Sequence, residues 1–283
     1  MTTMFRIASV QTDIQFGNID ENLKRTLEKM TEASANGARL VVFPECSLTG
    51  YCCETKEEGK AIGLNLQSTV FRRLHESCRS LNVFGVFGFL ETEDESDDLF
   101  NSLVCIGPAG IVAHYRKTHL PQLGVDRFVT CGQAAYDVFE IDKVQVGMLI
   151  CYDSSFPEAT RVLALKGADV VLLPTNWPAA SISIAELVPP VRAMENHIYF
   201  VVANRVGLER GVSFVGRSRI IHPNGSSLTY AEHDREEVLI ADIDPELARQ
   251  KRIVRVLGKH EVNLIADRRP ELYGEIIEKS VQH

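Results

Sequence analysis

Gly37-Ala-Arg-Leu-Val-Val-Phe-Pro44 returns, without a gap, as Gly167-Ala-Asp-Val-Val-Leu-Leu-Pro174. In each copy an amphipathic stretch ends at a glycine, an apolar run follows, and a proline that cannot donate to a strand ladder stops it. Helix–Gly–Ala–strand–Pro is a unit common in α/β proteins. Its recurrence suggests two similar halves.

The neighbouring segments repeat the same grammar. Before the first copy, Phe5–Val10 reads as a buried strand and Asn22–Ala35 as a helix with Leu23, Leu27, Met30 and Ala33 near helical spacing and Asp20 as its cap. After it, Thr69–Leu81 reads as a helix and Val83–Leu90 as a strand. Glu91–Asp98 is an acidic turn, and Ser102–Ile106 and Ile111–Tyr115 are strands joined by Gly107-Pro-Ala-Gly110. Around the second copy, Gln145–Ile150 is a strand and Pro157–Lys166 a helix with proline near its start. Val170–Leu173 is a strand stopped by Pro174, Leu187–Asn196 a helix and His197–Ala203 a strand. Arg217–Ile221 and Ser227–Thr229 form a hairpin around His222-Pro-Asn-Gly225, and Val238–Ile243 is a further strand. Two halves of this kind predict two sheets face to face with helices outside. No long Gly/Ser/Pro linker interrupts them, so 1–283 reads as a single domain.

Bulk properties narrow the class. The 283 residues are 45% hydrophobic and 24% charged, ordinary for a globular chain that buries a sizeable core. A formal net charge of −8 argues against nucleic acid or an anionic membrane as partner, since both require clustered Lys and Arg. No apolar run approaches the roughly 18 residues needed to cross a bilayer, and Met1–Asp13 has no secretory pattern. Seven cysteines, an odd number without framework spacing, fit a reducing compartment. The expectation is a cytoplasmic protein.

Three residues at strand ends are suited to chemistry. Cys151 follows Gln-Val-Gly-Met-Leu-Ile150 and precedes a turn and a helix, where the helix dipole favours a thiolate nucleophile. Lys117, after the strand ending at Tyr115, is placed to stabilise a thiolate or an oxyanion. Glu45 follows Leu-Val-Val-Phe-Pro44, where desolvation raises a carboxyl pKa toward the range useful for proton transfer. Taken singly, each has a plainer reading: a buried core thiol, a surface lysine, a polar strand end. No phosphate-binding glycine loop is present, nor zinc spacing among Cys46, Cys52, Cys53, His75 and Cys78, nor a Gly-x-Ser-x-Gly nucleophile elbow.

Taken together, Phe43-Pro-Glu45-Cys-Ser-Leu-Thr-Gly-Tyr51, Tyr115-Arg-Lys117-Thr-His-Leu-Pro121 and Gly147-Met-Leu-Ile-Cys151-Tyr-Asp153-Ser-Ser-Phe-Pro-Glu158 resemble the nitrilase superfamily, also called the carbon–nitrogen hydrolases. The Val-Gln-Thr12 opening, Leu173-Pro-Thr-Asn-Trp-Pro178, Arg192-Ala-Met-Glu-Asn196 and Arg268-Arg-Pro-Glu-Leu-Tyr273 extend the resemblance over nearly the whole chain. It implies a four-layer αββα sandwich. It also implies a Glu45–Lys117–Cys151 triad, no metal or organic cofactor, and a homodimer or higher homo-oligomer, with the tail from about 245 to 283 reaching across. Many members carry a second glutamate after the lysine motif; Asp126 stands near that place here. Tyr51, Tyr152 (through its backbone N–H), Asn176 and Trp177 match positions near the family's substrate pocket. His119 and Asp153 read as supporting or capping residues.

The reaction implied is hydrolysis of a small linear amide through a cysteine thioester, with release of ammonia. The alternatives are hydrolysis of an N-carbamoyl (ureido) substrate, a true nitrilase, or a non-catalytic interaction protein. The intact triad argues against the last.

Overall fold

The computed structural model describes residues 4–94 and 96–278. Glu95 of the expected acidic turn, the first three residues and the last five of the tail lie outside the described residues. In chain order the first run is β1 (Phe5–Gln11), α1 (Ile19–Ala35), β2 (Leu40–Val42), α2 (Lys56–Ile62), α3 (Thr69–Leu81), β3 (Phe84–Thr92), β4 (Leu99–Gly107) and β5 (Gly110–Arg116). The second is β6 (Val138–Ile141), β7 (Val144–Met148), α4 (Pro157–Leu165), β8 (Val170–Thr175), α5 (Ile182–Asn196) and β9 (Tyr199–Asn204). A short pair β10 (Leu208–Glu209) and β11 (Val212–Ser213), then β12 (Arg219–Ile221) and β13 (Ser227–Tyr230), complete it. β14 (Glu237–Ile243), α6 (Pro245–Arg249), β15 (Ile253–Val256) and β16 (His260–Val262) follow.

The two halves share one topology. The first sheet runs β14-β1-β2-β3-β4-β5 and the second β6-β7-β8-β9-β12-β13. In each, three central strands are parallel and the flanking strands antiparallel. The repeated octapeptides lie on β2 and β8, at equivalent positions. β14, late in the sequence, edges the first sheet as β6 edges the second.

Alternation along the strands builds the layers. Ile7, Leu40, Val42 and Val86 pack against Val146, Leu172 and Val201 of the opposite sheet. Their neighbours Ala8, Val41, Phe43 and Phe87 face Leu23 and Met30 of α1 and Phe71 and Leu74 of α3. Ala159 and Leu163 of α4, with Ala185 and Ala193 of α5, cover the second sheet. The order is therefore helix, sheet, sheet, helix. Burying each large aliphatic side chain in these interfaces contributes about 1.5–3 kcal/mol.

Some local expectations are corrected. α1 is capped by Asn18, whose side chain accepts from the Glu21 N–H; Asp20 lies inside the first turn, where its charge meets the positive helix end. β8 runs through Pro174 to Thr175, because pairing with β7 has already ended at Leu172 and the missing N–H leaves no gap on that side. α5 begins at Ile182 and carries Pro189 and Pro190 inside it. α2 and β6 had not been expected. For α2 the signal is Thr55-x-x-Glu58, in which the Thr55 hydroxyl accepts from the Glu58 N–H at 3.1 Å.

Candidate active site

Glu45, Lys117, Cys151, Asn176 and Trp177 all follow the ends of strands. Glu45 follows β2 in a turn that crosses β3 at Gly88. A Cβ there would sit 2.5 Å from both Pro44 O and Cys46 N, so only glycine admits the turn that carries Glu45. Lys117 is the first residue after β5, its backbone held by Asn101 O and by the Gly132 N–H. Asp126 sits on a single turn of 3-10 helix, Gly124–Arg127. Cys151 opens another, Cys151–Ser155, after β7, and Asn176 and Trp177 follow β8.

Five side chains form one buried network. The Lys117 ammonium donates to Glu45 Oε1 at 2.7 Å and to Asp126 Oδ2 at 2.6 Å. Asn101 Nδ2 donates to the same Glu45 oxygen at 2.7 Å and to Asp126 Oδ1 at 2.9 Å. The Tyr51 hydroxyl donates to Asp126 Oδ2 at 2.7 Å. The sequence expectations for Glu45, Lys117, Asp126 and Tyr51 thus converge, and aspartate reaches the lysine without any shift of register. Cys151 lies against this group, close enough for its thiol to feel Glu45, Lys117 and Asp126, and the Asn176 backbone N–H faces its sulfur. Cys151 has φ of 42°, left-handed backbone that costs a non-glycine residue energy and marks a constrained position.

Electrostatics set the resting protonation. Burial pushes the Glu45 carboxyl above its usual range; Lys117 and Asn101 oppose this, and the Asp126 charge adds to it. Burial opposes the Lys117 charge, yet the Asp126 and Glu45 carboxylates hold it firmly protonated. Burial, reinforced by Glu45, raises the Cys151 thiol, against the pull of Lys117 and the Asn176 N–H. The expected helix dipole is not at the sulfur: α4 begins only at Pro157, and burial favours the neutral thiol.

Within the site, among the described residues, Glu45 Oε2 and both amide atoms of Asn176 are buried without a protein partner. Such groups cost free energy unless something else satisfies them. The Trp177 N–H is held by Asn204 Oδ1 at 3.0 Å and its ring is buried. Tyr152 stands at the surface, 36% exposed, its ring edge-on to Phe156. Asp153 straps the lysine segment to the cysteine turn, accepting from Tyr115 OH at 2.8 Å, the His119 N–H at 3.0 Å and the Ile150 N–H at 2.9 Å.

The family model for carbon–nitrogen hydrolases matches residues 6–253. The chain belongs to the carbon–nitrogen hydrolase family. A nitrilase from Pyrococcus abyssi is 39% identical over 274 residues, covering 95% of this chain and 99% of the relative. A 2-oxoglutaramate amidase from Bacillus subtilis is 32% identical, covering 84% and 90%. Among solved structures, a variant of the amidase from Nesterenkonia sp. AN1 superposes with a TM-score of 0.79 at 25% identity, covering 95% of each chain. In that variant the acetamide moiety of fluoroacetamide is added covalently at the active-site cysteine. The chain is thus a hydrolase of the nitrilase superfamily with an amidase-like fold.

Within this carbon–nitrogen hydrolase, sequence reasoning missed Asn101, which joins both carboxylates. Its signal was an amide between apolar Phe100 and Leu103 on a strand buried along its whole length. It also missed Asn204, Arg205 and Glu209, all buried. All seven cysteines are free. Among the described residues, no group of three or more His, Cys, Asp or Glu side chains is arranged to hold a metal ion, and no helix is long and apolar enough to cross a membrane.

Proposed function

We propose that this chain hydrolyses the C–N bond of small linear amides, releasing ammonia, through a thioester on Cys151. The observation that carries this reading is the Lys117 ammonium, pinned between two carboxylates beside a thiol, with one Glu45 oxygen left free. Of the pair, Glu45 is the carboxylate with an open oxygen; burial raises its proton affinity, which suits a general base. As Cys151 Sγ bonds to the carbonyl carbon, its proton passes to Glu45. The oxyanion rests on Lys117 and on backbone N–H groups, those of Tyr152 and Asn176 being the candidates. Glu45 then gives the proton to the departing nitrogen, the C–N bond breaks, and ammonia leaves. A water, deprotonated by the same Glu45, adds to the thioester, and the collapsing intermediate expels Cys151 as the thiol with release of the acid. Asp126 keeps Lys117 aimed, and the Asn176 amide finds its missing partners in the substrate.

The test is an ammonia assay on a panel of aliphatic amides, ω-amides, ureido acids and nitriles. Turnover of amides, lost in Cys151→Ala with the fold retained, is expected, as is an acyl mass on Cys151 after quenching. Turnover confined to ureido acids or nitriles would reassign the substrate, and turnover retained by Cys151→Ala would remove the nucleophile.

A homodimer is part of the same proposal. Leu187 and Met194 on α5 and Leu257, Leu272 and Ile277 of the tail are exposed apolar side chains of the kind that a second copy would cover. Light scattering that gave a monomer would refute it.

A further inference from the structure

The Tyr51 loop reaches the lysine cluster from the first half of the chain, yet what grips it comes from the second. Glu209 Oε1 accepts from the Tyr51 N–H at 2.8 Å and the Cys52 N–H at 2.6 Å. Its other oxygen is paired with Arg205, and both side chains are essentially without solvent contact. Arg205 in turn donates to Ile14 O at 2.8 Å and to Asp13 at 3.1 Å. The grip is close: a Cβ on Gly50, which sits at φ +92°, would press against Phe16 at 2.9 Å and Glu209 Oε2 at 3.3 Å. Tyr51 then spans from this clamp to Asp126 through its hydroxyl, and its carbonyl accepts from the Val125 N–H at 2.9 Å.

Arg205 directly follows Asn204, whose side chain fixes the Trp177 N–H and the Thr175 hydroxyl beside Asn176. The last residue of β9 and the one after it therefore reach both sides of the site: Asn204 toward the amide that faces the Cys151 sulfur, Arg205 toward the loop that orients Asp126 and Lys117. A buried ion pair is a poor source of net stability, since well-packed apolar residues do as well or better. What it supplies here is a fixed geometry across the two halves.

We infer that Glu209, held by Arg205, is a positioning residue for the hydrolysis: through the Tyr51 backbone it sets where Asp126 holds the Lys117 ammonium relative to Cys151. The inference rests on the proposed thioester chemistry for its kinetic consequence, but not for its geometric one. Misplacement on the ångström scale lowers turnover by up to about 10²-fold.

The test is a cycle of Glu209→Gln, Tyr51→Phe and the double variant, with thermal melts confirming the fold. kcat and KM are measured on the best amide of the panel, and the rate of Cys151 alkylation by iodoacetamide is followed against pH. Each single variant should lose about tenfold or more in kcat with KM little changed, and the double should lose no more than about twofold beyond the worse single. The pH profile of alkylation should shift in both. A merely structural role lowers the folded fraction and leaves that profile in place; an unshifted profile, or additive losses, overturns the inference. Should Glu209→Gln fail to fold, Glu209→Asp, which keeps the charge opposite Arg205 but shortens the reach to the Tyr51 and Cys52 N–H groups, decides by the same profile. Alkylation needs no substrate, so the clamp is judged even if no amide is turned over, an outcome that would sink the proposed function alone.

Discussion

Two buried glutamates, one in the turn after β2 and one in neighbouring β3, behave in opposite ways. Glu45 is fully enclosed and meets one ammonium, which it shares with Asp126, and one amide; one of its oxygens meets nothing, and its proton affinity is raised. Glu91, at the far end of β3, accepts from Arg116 at 2.6 and 3.0 Å, from Ser102 at 2.6 Å and lies 2.8 Å from His114 Nε2. There burial opposes ionisation, but those donors outweigh it and bring the carboxyl to about 2. The difference is one of donor count against desolvation, not of residue type or depth. A carboxylate saturated with donors is a structural post. One that is starved of them, beside a lysine and a thiol, is kept ready to take a proton.

The strongest way to break this comparison is to exchange the charge. Glu45→Gln should lower kcat by roughly 10²–10⁴-fold with little change in melting temperature, because the Gln carbonyl still accepts from Lys117 and Asn101. Near-normal turnover in an ammonia assay would mean that Glu45 is no different in kind from Glu91. Lys117→Met should cost about 3–5 kcal/mol in urea unfolding, since it leaves Glu45 and Asp126 facing each other without their cation. A variant as stable as the parent would show that the ammonium is not what allows both charges to be buried.

Glu91→Gln sharpens the contrast from the other side. It should cost about 1–3 kcal/mol of stability, from donors left partly unsatisfied, while turnover holds at the parental level. The smallest effect is one of slope. Glu91, lowered on folding, contributes stability that is present above its unfolded value near 4.5 and is lost as pH falls toward 2. Glu45, raised on folding, acts with the opposite sign: its ionisation erodes stability as pH climbs above the unfolded value. Unfolding curves between pH 3 and 8, taken for each glutamine variant against the parent, should therefore diverge in opposite directions. Parallel curves would erase the distinction.

Much of this was readable from the sequence, for definite reasons. The repeated octapeptide located β2 and β8 because a run such as Leu40-Val41-Val42 has no plausible place except inside a sheet covered on both faces. α3 was read to the residue, since Val70, Phe71, Leu74 and Cys78 keep one helical stripe buried. Glu45, Lys117 and Cys151 stood out through three spaced motifs, and Asp126 through its distance from one of them. What stayed hidden was what depends on long-range meeting. Asn101 and Glu209 act on partners 56 and 158 positions away, and no local pattern reports such encounters. α2 was missed because its only buried residue is Gly59, so it has no apolar stripe to betray it. Pro174 misled because a proline stops a strand only where a neighbour still needs its N–H.

The strand that edges the first sheet, β14, is drawn from residues 237–243 and zips along all of β1 in antiparallel register. A ribosome making this chain therefore delivers β1 long before its outer neighbour. Throughout that interval the nascent first half carries a bare seven-residue template for any stray strand, so slow synthesis or an early stop favours tangled chains over half-built enzyme.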